Sequence, residues 1–95
     1  MKTSKWDMAE FMETKEDVIA HLSVALEEND IDFLLSVLNA LARSKGMAQI
    51  AADLGVSREG LYKSLSPGSN PAFGTVVNTL GNLGFKLNIE LKAAS

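Results

Sequence analysis

Four side chains able to recognise polar ligands stand close together past the middle of the chain: Arg58, Glu59, Tyr62 and Lys63. On a helix, positions three and four apart are surface neighbours, so residues 58, 59, 62 and 63 share one face of two successive turns. A guanidinium there can donate a bidentate pair to guanine, and a carboxylate can accept from the amino group of cytosine. Tyr62 and Lys63 can reach bases or phosphates. Ser57, immediately before them, is of the type that caps a helix with its hydroxyl, and it falls among the first-turn residues that meet base edges. Ser66, Ser69 and Asn70, just beyond, are candidate phosphate donors, a role that polar side chains and loop amides often take. Gly60 either lets such a helix sit close against a duplex or only eases packing.

Other chemistries find no support. The single histidine, His21, has no cysteine or second histidine with which to share a metal. The acids of residues 7–17 lack metal-loop spacing and lie beside apolar residues. Gly81 and Gly84 belong to a helix and its end rather than to a phosphate-binding loop. No catalytic residue, metal site or cofactor is expected.

Two short helices must hold the recognition face, and Met47–Leu54 and Ser57–Leu65 supply them, with only Gly55 and Val56 between. Gly55 permits the left-handed backbone that turns the chain so sharply. Ala51 is small where two steeply crossing helices approach, and Ile50, Leu54, Val56, Leu61 and Leu65 are expected to face inward. Residues 47–66 therefore read as a helix-turn-helix. Upstream, Thr14 with Asp17 three positions later opens a helix, with Val18, Leu22, Ala25 and Leu26 on one face. A second helix starts at Asp30 or Asp32, carries Leu34, Leu35, Leu38, Leu41 and Ala42 at helical spacing, and stops at Gly46. Ser66 to Asn70 is a loop by composition. Asn70 and Pro71 are expected to cap and open a last helix with a stripe of Phe73, Val76, Val77, Leu80 and Leu83, ending at Gly84.

The period then changes from helical to alternate. Phe85, Leu87, Ile89 and Leu91 alternate with Lys86, Asn88, Glu90 and Lys92, which predicts a strand. A lone strand leaves an unpaired edge, and pairing with its own copy across a two-fold axis resolves that most simply. A homodimer through Phe85, Leu87, Ile89 and Leu91 is expected; a frayed tail is the alternative. Residues 1–13, with Trp6, Met8, Phe11 and Met12, read as an arm or short turn. The whole is one all-α domain over 1–95, of about five helices with one short C-terminal strand.

Composition agrees with a folded chain: 46% of residues are hydrophobic and only two are proline. Absence of cysteine suits a reducing cytoplasm. No stretch approaches the roughly 18 apolar residues of a membrane span, and the N-terminus lacks the pattern of a signal peptide. The net charge of −3 hides an asymmetry. Residues 1–32 carry three lysines against nine acids, whereas residues 33–95 carry six basic side chains against three acids. Either the two parts serve different partners, or the first is only a solvated acidic helix.

The run Gly46-Met47-Ala48-Gln49-Ile50-Ala51, then Leu54-Gly55-Val56-Ser57-Arg58-Glu59-Gly60-Leu61-Tyr62-Lys63-Ser64-Leu65-Ser66, continues through Gly68-Ser69-Asn70-Pro71-Ala72-Phe73 and Leu83-Gly84-Phe85-Lys86-Leu87. Thr14-Lys15-Glu16-Asp17 and Leu26-Glu27-Glu28 add to it upstream. These residues cover most of the chain, and together they resemble the Cro/repressor-type helix-turn-helix antitoxins, the HigA-like addiction module antidote proteins. The resemblance implies a lambda-repressor-like DNA-binding domain, a dimer on its own double-stranded DNA operator, and capture of a RelE/ParE-like toxin in a bacterial cytoplasm. Many members place a phosphate-contacting glutamine at the start of the first motif helix. Here that position is Met47, and Gln49 two residues later is the candidate. Trp6, Phe11 and Met12 then form either a toxin-docking arm or a cover for the chain's own helices. The alternative function is a stand-alone Cro/repressor-type regulator without a toxin.

Overall fold

The computed structural model describes residues 14–92, which form five helices in chain order: α1 (Lys15–Glu27), α2 (Ile31–Lys45), α3 (Met47–Leu54), α4 (Arg58–Ser64) and α5 (Phe73–Asn82). The all-α expectation holds. The expected arm, residues 1–13, lies outside the described residues.

Local chemistry sets most of the helix ends. Thr14 has extended backbone and its Oγ1 accepts the Asp17 N–H at 3.0 Å, opening α1. Asp30 does the same for α2, accepting the Phe33 N–H at 3.1 Å. At the end of α1 the chain reverses at Asn29, with φ 57°, and the Asp30 N–H returns to the Ala25 carbonyl at 2.8 Å. Helices α3 and α5 close alike: Val56 N–H bonds Ala51 O and Phe85 N–H bonds Leu80 O, each at 2.9 Å. These reversals satisfy carbonyls that a helix end would otherwise leave bare. Between α2 and α3 there is one residue, Gly46, at φ 128° and ψ 96°. A side chain is strained at that φ, so the corner between the two helices depends on glycine.

Helix α2 forms the centre and packs against α1, α3 and α5. Leu35, Val37, Leu38, Ala40 and Ala42 on it are fully buried, and they meet Val18, Leu22 and Ala25 of α1, Ile50 and Ala51 of α3, and Leu80 of α5 in one core. Burial of each large aliphatic side chain favours folding by about 1.5–3 kcal/mol. No helix among the described residues is long and apolar enough to cross a membrane.

Several expected core positions lie elsewhere. Leu26 is 50% exposed, so the buried face of α1 is Val18, Leu22 and Ala25. Val56 is 47% exposed: its N–H closes α3 while its side chain points away from the core. Helix α5 begins at Phe73 with Ala72 at its N-cap and no side-chain cap, so Asn70 does not open it. Phe73 is 75% exposed, and Thr79 is fully buried in its stead. Positions 76, 79, 80 and 83 form the inward stripe at helical spacing, whereas residue 73 sits at the helix's first position. Finally, no strand occurs among the described residues: 85–92 form neither helix nor ladder. A ladder needs a second strand, and the other described residues offer none.

Candidate nucleic-acid interface

The turn between α3 and α4 is built by a few backbone bonds. Gly55 adopts φ 77°, its N–H bonds Ala52 O at 3.1 Å, and the chain re-enters a helix within three residues. Ser57 then caps α4, its Oγ accepting the Gly60 N–H at 2.9 Å. A Cβ at residue 60 would lie 2.9 Å from that same oxygen. Gly60 therefore keeps the cap unobstructed, a role apart from the two open to it on sequence.

Leu61 and Leu65, one turn apart, are buried and tie α4 to the core, alongside Ile50 and Ala51 of α3. With that face inward, Ser57, Arg58, Glu59, Gly60, Tyr62 and Lys63 are exposed. The five candidate contacts on and before α4 are thus brought onto one outward surface. Among the described residues no carboxylate pairs with Arg58 or Lys63. Two unneutralised cations, a carboxylate and a half-exposed phenol stand on a short rigid support. That set can donate to phosphates and guanine, and accept from cytosine.

The other candidates differ. Gln49 is exposed on α3, and its Nε2 donates to Asp53 Oδ1 at 3.0 Å. Ser66 Oγ donates to Tyr62 O at 2.8 Å, and Ser69 Oγ lies 2.7 Å from both Ser64 O and Ser66 O. These hydroxyl protons are engaged with the chain's own carbonyls, leaving their oxygens as acceptors. Asn70 is exposed and lines an apolar groove on another part of the surface. Of the expected dimer residues, Phe85 is half-buried against the core and Leu87 lines the groove, while Ile89 and Leu91 are 99% and 96% exposed.

Positioning residues that sequence reading missed connect distant parts of the chain. Asp32, counted with the acidic third, accepts the Gly68 N–H at 2.8 Å and pins the loop after α4 to the start of α2. Buried Asn39 accepts from Arg43 Nε at 2.7 Å and points its amide at the Tyr62 carbonyl, 3.5 Å away, linking α2 to α4. Lys45 Nζ donates to both the carbonyl and the side chain of Asn82, whose Nδ2 donates to Asp53 Oδ2 at 3.0 Å. The Asn82 amide and then the Gln49 amide hold the Asp53 carboxyl below the usual range; desolvation opposes them, and the nearby Lys45 charge adds a weaker lowering. Asp32 and Gly68 are 36 positions apart, a separation with no local signature. His21 is half-buried, with Nδ1 2.7 Å from the Asp17 carbonyl and its ring beside Phe33.

A family model described as "Probable addiction module antidote protein" matches residues 2–91. The chain is 40% identical over 85 residues to a protein of Haemophilus influenzae described as uncharacterized, and the match spans 90% of this chain and 88% of that one. No solved structure matches. With nearly its whole length inside the family model, the chain belongs to the probable addiction module antidote proteins.

Proposed function

We propose that the chain is a DNA-binding antitoxin that neutralises a RelE/ParE-like toxin and represses its own operon through α3 and α4. Membership in an antidote family implies a toxin partner in general. The observation that carries the DNA reading is the outward face of α4, where Arg58 and Lys63 stand exposed beside Glu59 and Tyr62 and, among the described residues, without carboxylate partners. In this reading α4 enters the major groove, and Ser57 and Arg58 at its start meet base edges. Gln49, Ser66, Ser69 and Asn70 complete the contacts at the backbone, the two serines by rotating their hydroxyls away from the carbonyls they now hold. Two copies on a two-fold operator place their recognition helices about 34 Å apart, one turn of DNA. The chain carries no catalytic step of its own and acts in the bacterial cytoplasm.

Two experiments test the two halves of this reading. Arg58→Ala should weaken binding to the DNA upstream of the operon by about 1–3 kcal/mol and relax discrimination at one base pair, with the thermal melt unchanged. Equal binding by Arg58→Ala and the unaltered chain would remove α4 from the interface. Co-expression with the small protein encoded beside it should restore growth and yield a stable complex. Loss of both outcomes would contradict the antitoxin role.

A further inference from the structure

Asn70 borders an apolar groove on the surface. It has a volume of about 660 Å³ and lies between α1, the start of α2, α5 and the segment after α5. Ile19, Leu26, Ile31, Phe73 and Leu87 line it, and all five are exposed. Beyond its edge Ile89 and Leu91 stand almost wholly in solvent. Burial is thus lost along the alternate residues of the last segment, from Phe85 on the core through Leu87 to Ile89 and Leu91, both almost bare. Among the described residues, no backbone–backbone hydrogen bond joins 86–92 to the rest of the chain.

The seven residues Phe85-Lys86-Leu87-Asn88-Ile89-Glu90-Leu91 are self-complementary when reversed. In an antiparallel pair, directly opposed residues point to the same side. A two-fold axis through Asn88 sets Phe85 opposite Leu91 and Leu87 opposite Ile89, so every apolar residue meets an apolar one. The same axis sets Lys86 opposite Glu90, twice. An axis through Ile89 would oppose Lys86 to Lys92, and one through Leu87 would leave both charges without an opposed charge. A slip by one residue would turn apolar side chains against polar ones.

We infer that Phe85–Leu91 pairs antiparallel with the same segment of a second copy about an axis at Asn88, seating that copy's Ile89 and Leu91 over the apolar groove. Opposed residues lie about 4.5–5.5 Å apart between Cα atoms. The second copy's Leu91 and Ile89 therefore arrive beside Phe85 and Leu87, both of which line the groove. The exposed parts of Ile19, Leu26, Ile31, Phe73, Leu87, Ile89 and Leu91 amount to roughly 900 Å² per copy, close to the ~800 Å² per partner of a stable interface. The pairing gives the two-fold arrangement of the operator reading its register, but self-association without DNA tests it alone.

Sedimentation equilibrium of the full chain in low salt makes that test. Lys86→Glu opposes two carboxylates at both charged positions, and Glu90→Lys opposes two ammonium groups. Each should raise the dimer Kd about tenfold or more while the circular dichroism spectrum stays unchanged. Mixed in equal amounts, the two variants restore both attractive pairs, so the mixture should associate as tightly as the unaltered chain, and Lys86→Glu/Glu90→Lys should do so by itself. A mixture no tighter than either variant, or an unaltered chain that stays monomeric at ~100 μM, would overturn the proposal. Failure here would leave the Arg58 effect on DNA intact.

Discussion

The α4 face and the groove face use side chains in opposite ways. On α4 the apolar residues Leu61 and Leu65 are buried and the polar ones stand outward. Around the groove it is Ile19, Leu26, Ile31 and Phe73 that stand outward. Charged and hydrogen-bonding groups on a rigid support suit a polyanion, whose contacts are electrostatic and directional. Exposed aliphatic and aromatic groups around a concavity suit a protein surface, whose contacts depend on apolar burial. One small core supports two faces, and they can be broken separately.

The largest expected effect comes from the shared core. Leu61→Ala should destabilise the fold by about 2–5 kcal/mol, read as a lower thermal midpoint, because the cavity opens where α4 meets the core. Ile89→Asp should instead change the stability of the isolated chain by less than about 0.5 kcal/mol, since that side chain is free in solvent, while abolishing self-association. A large drop in the melting temperature of dilute Ile89→Asp would show that the two regions are not separable.

Thr79→Val should raise stability by about 1 kcal/mol in denaturant titration. The hydroxyl of Thr79 is fully buried, and among the described residues its Oγ1 has no hydrogen-bond partner. An isosteric methyl removes that desolvation cost. Loss of stability would mean that the hydroxyl has a partner. Of similar size and opposite sign is Ser57→Ala, expected to cost about 1 kcal/mol through the lost cap. It should also reduce DNA affinity, because α4 would fray where it meets the bases; unchanged stability and affinity would argue against that cap.

The smallest effect is on acid stability. Asp53 has a lowered pKa in the folded chain, chiefly through the Asn82 amide and then Gln49. The stabilisation it provides is complete above its unfolded pKa of about 3.9 and is lost as pH falls through the folded value. Asp53→Asn should therefore flatten the decline of the thermal midpoint below about pH 4 slightly, and leave it nearly parallel to the unaltered chain at pH 6–8.

Much of the first four helices was legible in the sequence, because their ends are local events. Thr14, Asp30 and Ser57 each cap over three residues, and Gly55 turns within one. The outward set on α4 followed from Leu61 and Leu65 being the only apolar pair one turn apart there. What was not legible depends on partners far away in sequence. Asp32 holding Gly68 and Asn39 reaching Tyr62 join residues 36 and 23 positions apart. The start of α5 escaped because Asn70 and Pro71 carry strong helix-opening signals, while Pro71 lines the groove and the helix opens two residues later. Alternation after Gly84 predicts a strand, yet a strand exists only with a neighbour. Among the described residues the segment has no ladder partner, and its apolar face is partly bare.

In the proposed function the exposed cations of α4 meet DNA. The most direct measurement is fluorescence anisotropy of the DNA upstream of the operon, titrated with the full chain from 50 to 200 mM salt. A linear fall of log affinity with log salt is predicted, with the slope lessened by about one in Lys63→Ala for each such contact removed. An affinity indifferent to salt and to Lys63 would contradict the account.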